Sequence, residues 1–332
     1  MFMRLSIYDK DLNRICIVGD NYKSCLWNEG YNSVEPFTLE LNSIDEYRQK
    51  IKEDFYVGRS DRPTLMIIKD IVSNKDTIVI SGKQATRVLD DVAFIGTIAE
   101  GGRIDESIKS AYNSSNKYYN LLIDDSVLDE TYDHQISNKS MLELCQIMCE
   151  DKDIGFKVVR SEKKCLLQFY KPIKKDNLVF SERFKNLTLK EMSISNDMEK
   201  NYAIVLGQGE GENRIRVDVD ISGGLQRKEL IIDARNSQKD EDESQSDYEE
   251  RLRVEGLEKL LETTAKRAYS FLPNVGDFGV KYDLGDVLEI RLPEFNSTLT
   301  ARVVRFSEKS QGNISEISVE VGKILVKRGR RL

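Results

Sequence analysis

Three glycines at alternate positions, Gly207, Gly209 and Gly211 in IVLGQGEGENRIRV, form the spacing in this chain that most resembles a phosphate cradle. Such a loop binds phosphate when it opens a helix, because backbone N–H groups and the helix dipole then point at the anion. The dinucleotide pattern G-x-G-x-x-G and the Gly-Lys-Ser/Thr of a P-loop are both missing here. The next residues alternate, Ile215, Val217, Val219 and Ile221 against Arg216, Asp218 and Asp220, which is the period of a half-buried strand. No helix terminus faces the loop, and Glu210 and Glu212 would repel a phosphate. A turn between two strands is expected, with glycine supplying positive φ. No cofactor-binding residue is assigned.

The other candidate chemistry is thin. The chain has one histidine, His134, within the polar stretch DETYDHQISNKS, and any Ser-His-Asp or Cys-His arrangement would have to use it. Asp124, Asp125, Asp129, Glu130 and Asp133 lie close by in sequence, but not at the spacing of a cation loop, and read as a solvated acidic surface. In KDEDESQSD an EF-hand loop starting at Asp240 would need glycine where Gln245 stands and a bidentate glutamate where Arg251 stands. Ser246 with Glu249 reads instead as a helix-capping box. Cys145 and Cys149 share a helix face with Leu142, and a zinc site would want further ligands. Cys16, Cys25 and Cys165 show no pairing pattern, so all five cysteines are expected to be reduced and mostly buried. Catalytic residues: none. Metal ligands: none.

The elements that would position any site divide the 332 residues into strands and helices. RLSIYD and RICIVGD, separated by the polar turn Asp9 to Asn13, predict a hairpin; PFTLELN continues the strands. SIDEYRQKI predicts a short helix capped by Ser43 with Glu46. PTLMIIKDIV and DTIVISG flank the turn SNKD. Apolar residues at three- and four-residue spacing in ATRVLDDV, RIDESIKSAYNSS and NKSMLELCQIMCEDK predict helices. IGFKVVR and CLLQFYKP then predict a hairpin, so the middle of the chain is expected to be an α+β insertion with its own small core. DYEERLRVEGLEKLLETTAKRAYSF predicts an amphipathic helix with Leu257, Leu260, Leu261, Thr264 and Ala268 along one stripe. Strands over Val287 to Leu292, Leu299 to Phe306 and Ile314 to Val321 predict a closing meander.

Composition narrows the class. A net charge of −7 with 32% charged residues argues against general nucleic-acid affinity, which needs a basic field. No stretch approaches the ~18 uninterrupted apolar residues of a membrane span. The start, MFMRLSIYDK, is interrupted by charge too early for a signal peptide, so synthesis in the cytoplasm is expected. Only the end is basic, with Lys323, Lys327, Arg328, Arg330 and Arg331, which reads as a solvated terminus or a patch for an acidic neighbour or nucleic acid.

The order of pieces resembles the phage tail baseplate-hub family of long-tailed phages and contractile, phage-tail-like particles. The residues that carry it are the opening RLSIYDKDLNRICIVGDNYKSCLW, ISGKQATRVLDDVAFIG, the hairpin VLGQGEGENR, the long helix, and Tyr282-Asp283-Leu284-Gly285-Asp286 with the following meander. The resemblance implies an α+β, β-rich fold with two tube-like β-barrel domains and a helical, α+β insertion. It implies a first β-barrel region at 1–95, a peripheral insertion at 96–190, and a second barrel region at 191–332 with a long helix at 247–269. It implies a structural protein, not an enzyme: a homotrimeric ring joining a sixfold tail tube to a threefold spike or tip. The implied partners are its own copies, a tail tube or distal tail protein, a spike or tip protein, a tape-measure protein, and DNA passing through the lumen. The site of action is then the virion or tail-like particle, assembled in the bacterial host. The chain lacks the long C-terminal extensions of some relatives, so peptidase or receptor-binding activities are expected on other proteins. Two other classes remain open. A tail-tip cell-wall hydrolase needs paired carboxylates in a cleft. A carbohydrate- or receptor-binding module needs exposed aromatic platforms, whereas the single tryptophan, Trp27, reads as core.

Overall fold

Period-two alternation builds the first strands, β1 (Leu5–Tyr8), β2 (Arg14–Gly19), β3 (Ser24–Gly30) and β4 (Pro36–Asn42). In β4, Phe37, Leu39 and Leu41 are buried while Pro36, Thr38, Glu40 and Asn42 are not, as a strand with one face on a core requires. The structure is a computed structural model that describes residues 3–115, 121–124, 128–133, 135–195, 199–239, 243–263, 266–273, 277–293, 297–312 and 314–323. A short helix, α1 (Asp45–Lys50), leads to β5 (Tyr56–Arg59), β6 (Leu65–Ser73) and β7 (Thr77–Gln84). The expected hairpins β1–β2 and β6–β7 are both present. Asp9 Oδ1 closes the first turn by accepting from the N–H of Asp11 at 2.9 Å and of Asn13 at 2.8 Å, the local bonding that places Asp and Asn in turns. Ser43 does not cap α1. Its hydroxyl donates to the Asn74 carbonyl at 3.1 Å and accepts from Arg48 Nε at 2.7 Å, so the neighbouring turn takes the group that the helix was expected to use.

The following segment holds β8 (Ala93–Ile98), α2 (Ile104–Ser114), β9 (Leu121–Ile123), β10 (Ile136–Ser140), α3 (Met141–Asp151), β11 (Gly155–Ser161) and β12 (Lys164–Tyr170). ATRVLDDV forms only a 3-10 turn, Ala85–Leu89, rather than a helix. α3 carries a capping box of Ser140 and Glu143. The segment does not have a separate core. Ile104, Ile108, Met141, Leu144, Met148, Phe156 and Leu167 share one buried cluster with Tyr8, Leu12, Tyr56, Leu65 and Ile67 of the first strands. Asn32 fastens the join in a left-handed conformation, φ 51°. Its Nδ2 donates to the Ile154 carbonyl at 2.8 Å, its Oδ1 accepts from the Phe156 N–H at 2.9 Å, and its own carbonyl accepts from Gln146 Nε2 at 2.9 Å.

The remaining elements are β13 (Lys174–Phe180), β14 (Leu187–Ser195), β15 (Tyr202–Leu206), β16 (Arg216–Asp220), β17 (Glu229–Asp233), α4 (Gln245–Glu262), β18 (Lys266–Pro273), β19 (Val287–Leu292), β20 (Ser297–Gln311) and β21 (Ile314–Lys323). The closing meander β19–β20–β21 is antiparallel throughout, as expected. β20 also pairs with β3, from Arg305 opposite Gly30 to Gln311 opposite Ser24. One sheet therefore runs β21-β20-β3-β4-β7-β6-β5-β1-β2. The fold is α+β and β-rich, but this path is open, and the strands among the described residues close no barrel.

Contacts divide the chain into one unit of Met1–Glu191 with Tyr269–Leu332 and a second of Met192–Ala268. These lines differ from the expected segments 1–95, 96–190 and 191–332, because the β3–β20 pairing draws the last strands in with the first. In the second unit, β15 lies between antiparallel β16 and parallel β17. Tyr248, Leu252 and Leu260 of α4 pack on Ala203, Val205, Val217, Val219 and Ile232. Gly256 permits that approach, since a Cβ there would sit 2.6 Å from Val205 Cγ2. The expected helix over 247–269 stops at Glu262, and the aromatic, strand-prone RAYSF belongs to β18. Leu257, expected inward, is 39% exposed; Thr264 and the side chains of Leu261 and Ala268 lie outside the described residues. The cap is Ser244, whose Oγ accepts from the Asp247 N–H at 3.1 Å, two residues before the expected Ser246.

A buried charge cluster spans the β3–β20 junction. Glu29, with no exposed surface, accepts from Arg62 Nε at 2.8 Å, Arg62 Nη2 at 3.1 Å and Trp27 Nε1 at 2.8 Å. Arg59 pairs with Glu308 of β20 at 2.8 Å and with Asp61 at 2.6 Å. The Arg62 guanidinium lies 4.6 Å from the Phe278 ring centroid and 5.0 Å from that of Phe306. Burial opposes charge on Glu29, but the Arg62 charge and the bonds from Arg62 and Trp27 outweigh it and hold its pKa below the ordinary carboxylate range. A lowered folded-state pKa gives stability that is complete above the unfolded value of about 4.3 and is lost as pH falls through the folded one. Glu29→Ala is therefore expected to cost about 3 kcal/mol at neutral pH, because the mostly covered Arg62 loses its closer partner and keeps only Asp283 at 3.3 Å. Urea unfolding followed from pH 7 downward should show the variant less stable and less acid-dependent below about pH 4.3. A variant with the parental midpoint would contradict the assignment.

Candidate functional site

The glycine loop joins β15 to β16 and no helix of more than a single 3-10 turn, Gly211–Asn213, stands in it. Gly207 N–H donates to the Ile215 carbonyl at 2.8 Å, and Ile215 N–H to the Gln208 carbonyl at 2.9 Å. Gly209 and Gly211 adopt φ of 117° and 56°, the region that only glycine enters without cost. At Gly207 a Cβ would lie 2.6 Å from both Leu252 Cδ1 and Tyr248 Oη. That phenol accepts from the Gln208 N–H at 2.8 Å and donates to the Ser237 carbonyl at 2.6 Å. Arg214, which follows the loop, donates to the carbonyls of Gly207 and Leu206 and pairs with Asp233 at 2.6 Å. The loop is a hairpin connection in which the N–H groups of Gly207, Gln208, Asn213 and Ile215 are engaged.

The described part of the acidic stretch is largely solvent-facing and makes surface ion pairs. Glu130 pairs with Lys171, and Asp133 with Lys152; Asp124 donates its N–H to the Leu167 carbonyl at 2.8 Å. Asp125, His134, Asp240 and the basic residues Lys327 to Arg331 lie outside the described residues. Among the described residues, no three Asp, Glu, Cys or His side chains gather as a metal site would need. All five cysteines are buried and unpaired. Burial pushes the thiols of Cys16 and Cys165 up to about 11 and that of Cys25 to about 12, so thiolate chemistry is suppressed. Trp27 is fully buried beside Phe37, as expected of a core residue.

The Tyr282 to Asp286 motif is a turn that knits strands together. Asp286 Oδ1 accepts from the Ile173 N–H at 2.8 Å and its Oδ2 from the Asp283 N–H at 3.0 Å. Gly285, φ 86°, donates to the Val303 carbonyl at 2.8 Å. Tyr282 meets the rings of Phe180 and Phe278 edge-on at 5.1 and 5.5 Å.

What the sheet offers outward is breadth, not a cleft. Val72, Val79, Glu40, Ser24, Gln311 and Ile314 lie in register across β6-β7-β4-β3-β20-β21, and Asp70, Ser81, Thr38, Leu26, Lys309 and Glu316 form the neighbouring row. None of these side chains is buried, whereas the row between them buries Ile80, Leu39, Cys25 and Ser310. One face is thus sealed on the core and the other is a polar wall of mixed charge. Sequence reasoning missed this wall because it requires the β3–β20 pairing. No helix among the described residues is long and apolar enough to cross a membrane.

The chain belongs to the Siphovirus ReqiPepy6 Gp37-like protein family, whose profile matches residues 122–323. No curated protein matches the sequence. The fold is similar to that of the 43 kDa tail protein of prophage MuSo2 from Shewanella oneidensis, with a TM-score of 0.64 and 11% identity over 96% of this chain and 98% of that one. It is also similar to the tail protein from Neisseria meningitidis MC58, with a TM-score of 0.61 and 9% identity over 97% of each chain. Prophage tail protein gp18 from Listeria monocytogenes EGD-e gives a TM-score of 0.57 and 12% identity over 97% of this chain and 94% of that one. At these identities the likeness is one of fold. The resemblance read from the ordered motifs holds at the level of a phage protein family with the fold of phage tail proteins.

If Tyr248 ties the loop as described, Tyr248→Phe leaves an amide and a carbonyl short of a partner, an expected cost of about 1–3 kcal/mol. Amide exchange at Gln208 should accelerate and the thermal midpoint fall. Unchanged exchange would mean that the phenol does not hold the turn.

Proposed function

We propose that this chain is a structural baseplate hub protein whose trimeric ring joins a sixfold tail tube to a threefold spike or tip. The observation that carries the reading is the broad open sheet, sealed on one face and polar on the other, in a chain whose full length shares the fold of phage tail proteins. An open sheet leaves unpaired backbone groups at its ends. β2 is one such edge, and Ile17 on it is 61% exposed. Neighbouring copies would supply what closes the tube-like regions, through contacts in which one surface of a copy meets a different surface of the next. On this reading segments 1–95 and 191–332 furnish the two tube-like regions and 96–190 stands peripheral to them. The polar wall on this reading faces the lumen, where Asp70, Glu40 and Glu316 outnumber Lys309 and an excess of acid lets DNA slide without sticking. Tube, spike and tape-measure proteins are the proposed partners, and the role is assembly rather than catalysis.

Mass photometry of the purified chain is expected to show a species of about 115 kDa, three times the 38.2 kDa subunit, that co-purifies with tube and spike proteins. Release of soluble fragments from peptidoglycan by the isolated chain would support a tail-tip hydrolase instead.

A further inference from the structure

A chain of net charge −7 holds an aromatic ring out in solvent between two bases. The place is the single 3-10 turn Glu182–Phe184, between β13 and β14. Arg183, Phe184 and Lys185 are all exposed, Phe184 by 58%, while Phe180 and Ser181 below them are buried. The turn is fixed by its own bonds. Phe184 N–H donates to the Ser181 carbonyl at 3.1 Å and Lys185 N–H to the Glu182 carbonyl at 2.9 Å. Asn186 closes the base, its Oδ1 accepting from the Ser181 N–H at 3.0 Å and its Nδ2 donating to the Val179 carbonyl at 2.8 Å. Lys185 sits at φ 55°, the left-handed region that a lysine enters only at a cost. Backbone strain of this kind collects at binding and switch sites.

The complementary pattern lies on α3. Its outer stripe is Glu143, Ile147 and Glu150, at the spacing that shares one helix face, and all three are exposed, Ile147 by 38%. The inner face, with Met141, Leu144, Cys145 and Met148, is sealed in the core. An apolar residue thus stands between two carboxylates about 10 Å apart along the helix, a span that two long side chains diverging on either side of a ring can bridge. Glu143 accepts the Ser140 N–H at 3.2 Å as part of its own capping box. Among the described residues no ion pair forms at Glu143, Glu150, Arg183 or Lys185, whereas Glu182, the acid of the turn, is already engaged. Within one copy the two patterns do not pair.

We propose that the turn of one copy docks on α3 of a neighbouring copy, with Phe184 against Ile147 and with Arg183 and Lys185 toward Glu143 and Glu150. The inference rests on the assembly reading above and names one contact of the ring. Turn and helix are different surfaces of one chain, so each copy offers one and receives the other, the heterologous arrangement that closes a ring. The phenyl ring is the anchor, and the charges fix the orientation and speed the encounter. A turn already fixed by Asn186 gives up little freedom on docking. Two turns cannot dock on each other, since bases would face bases.

The test uses full-length Phe184→Cys and Ile147→Cys, co-expressed and then mildly oxidised; the five native thiols are buried. A disulfide-linked product of twice the chain mass is expected from the pair and from neither variant alone. Arg183→Glu combined with Lys185→Glu should weaken self-association about tenfold, and Glu150→Lys in the partner copy should restore part of the loss. A trimer that forms no cross-link, or whose affinity is unchanged by the charge reversal, would overturn the docking and leave the assembly reading standing. A chain that stays monomeric at high concentration would overturn both.

Discussion

A guanidinium buried without a partner is among the costliest arrangements a fold can hold, and this chain buries Arg59 and mostly covers Arg62 beside it. Their partners come from distant places: Glu29 in β3, Asp61 beside β5, Glu308 in β20 and Asp283 in the turn before β19. The cluster is satisfied only when β20 lies against β3 in one register. A slip of one residue would turn Glu308 to the opposite face and leave Arg59 with the half-exposed Asp61. Buried ion pairs add little net stability over apolar residues of similar size. Their effect here is selective, since strands that could pair in several registers are held to one.

That selection makes a single wall from the first and last thirds of the first unit. Without the β3–β20 pairing, β3 would present an edge in the middle of the path. With it, the polar rows from Val72 to Ile314 and from Asp70 to Glu316 become continuous. Among the described residues, several groups that the sequence offered for chemistry help to hold this arrangement together. The glycine loop closes a hairpin over Tyr248, Arg214 is spent on carbonyls and Asp233, and the thiols are sealed in the core.

Much of the local structure was legible, and for a physical reason. Strands with one buried face alternate in sequence, so β4, β16 and the β19–β21 meander could be read from residues a few positions apart. The hairpins at Asp9 to Asn13 and SNKD were legible because Asp and Asn bond their own backbone. The glycine loop was readable because the alternation after it excluded a helix. Caps were read less well, since Ser43 and Ser246 fit the pattern but the hydroxyl of Ser43 and the position of Ser244 answered to neighbouring turns. The end of α4 was misplaced because RAYSF continues the apolar spacing while favouring a strand. The largest omission was the β3–β20 pairing. Glu29 within SCLWNEG and Arg59 at the end of β5 are charges in apolar surroundings, and that anomaly was the available signal. Nothing local says that the partner of Arg59 stands 249 residues further on, at Glu308.

A density map of the intact tail particle, resolved well enough to trace this chain, tests the account most directly. Three copies should surround the axis between tube and spike, with Glu40, Asp70 and Glu316 lining the lumen. A map that places the chain away from the axis, or that turns this wall outward to solvent, would contradict it.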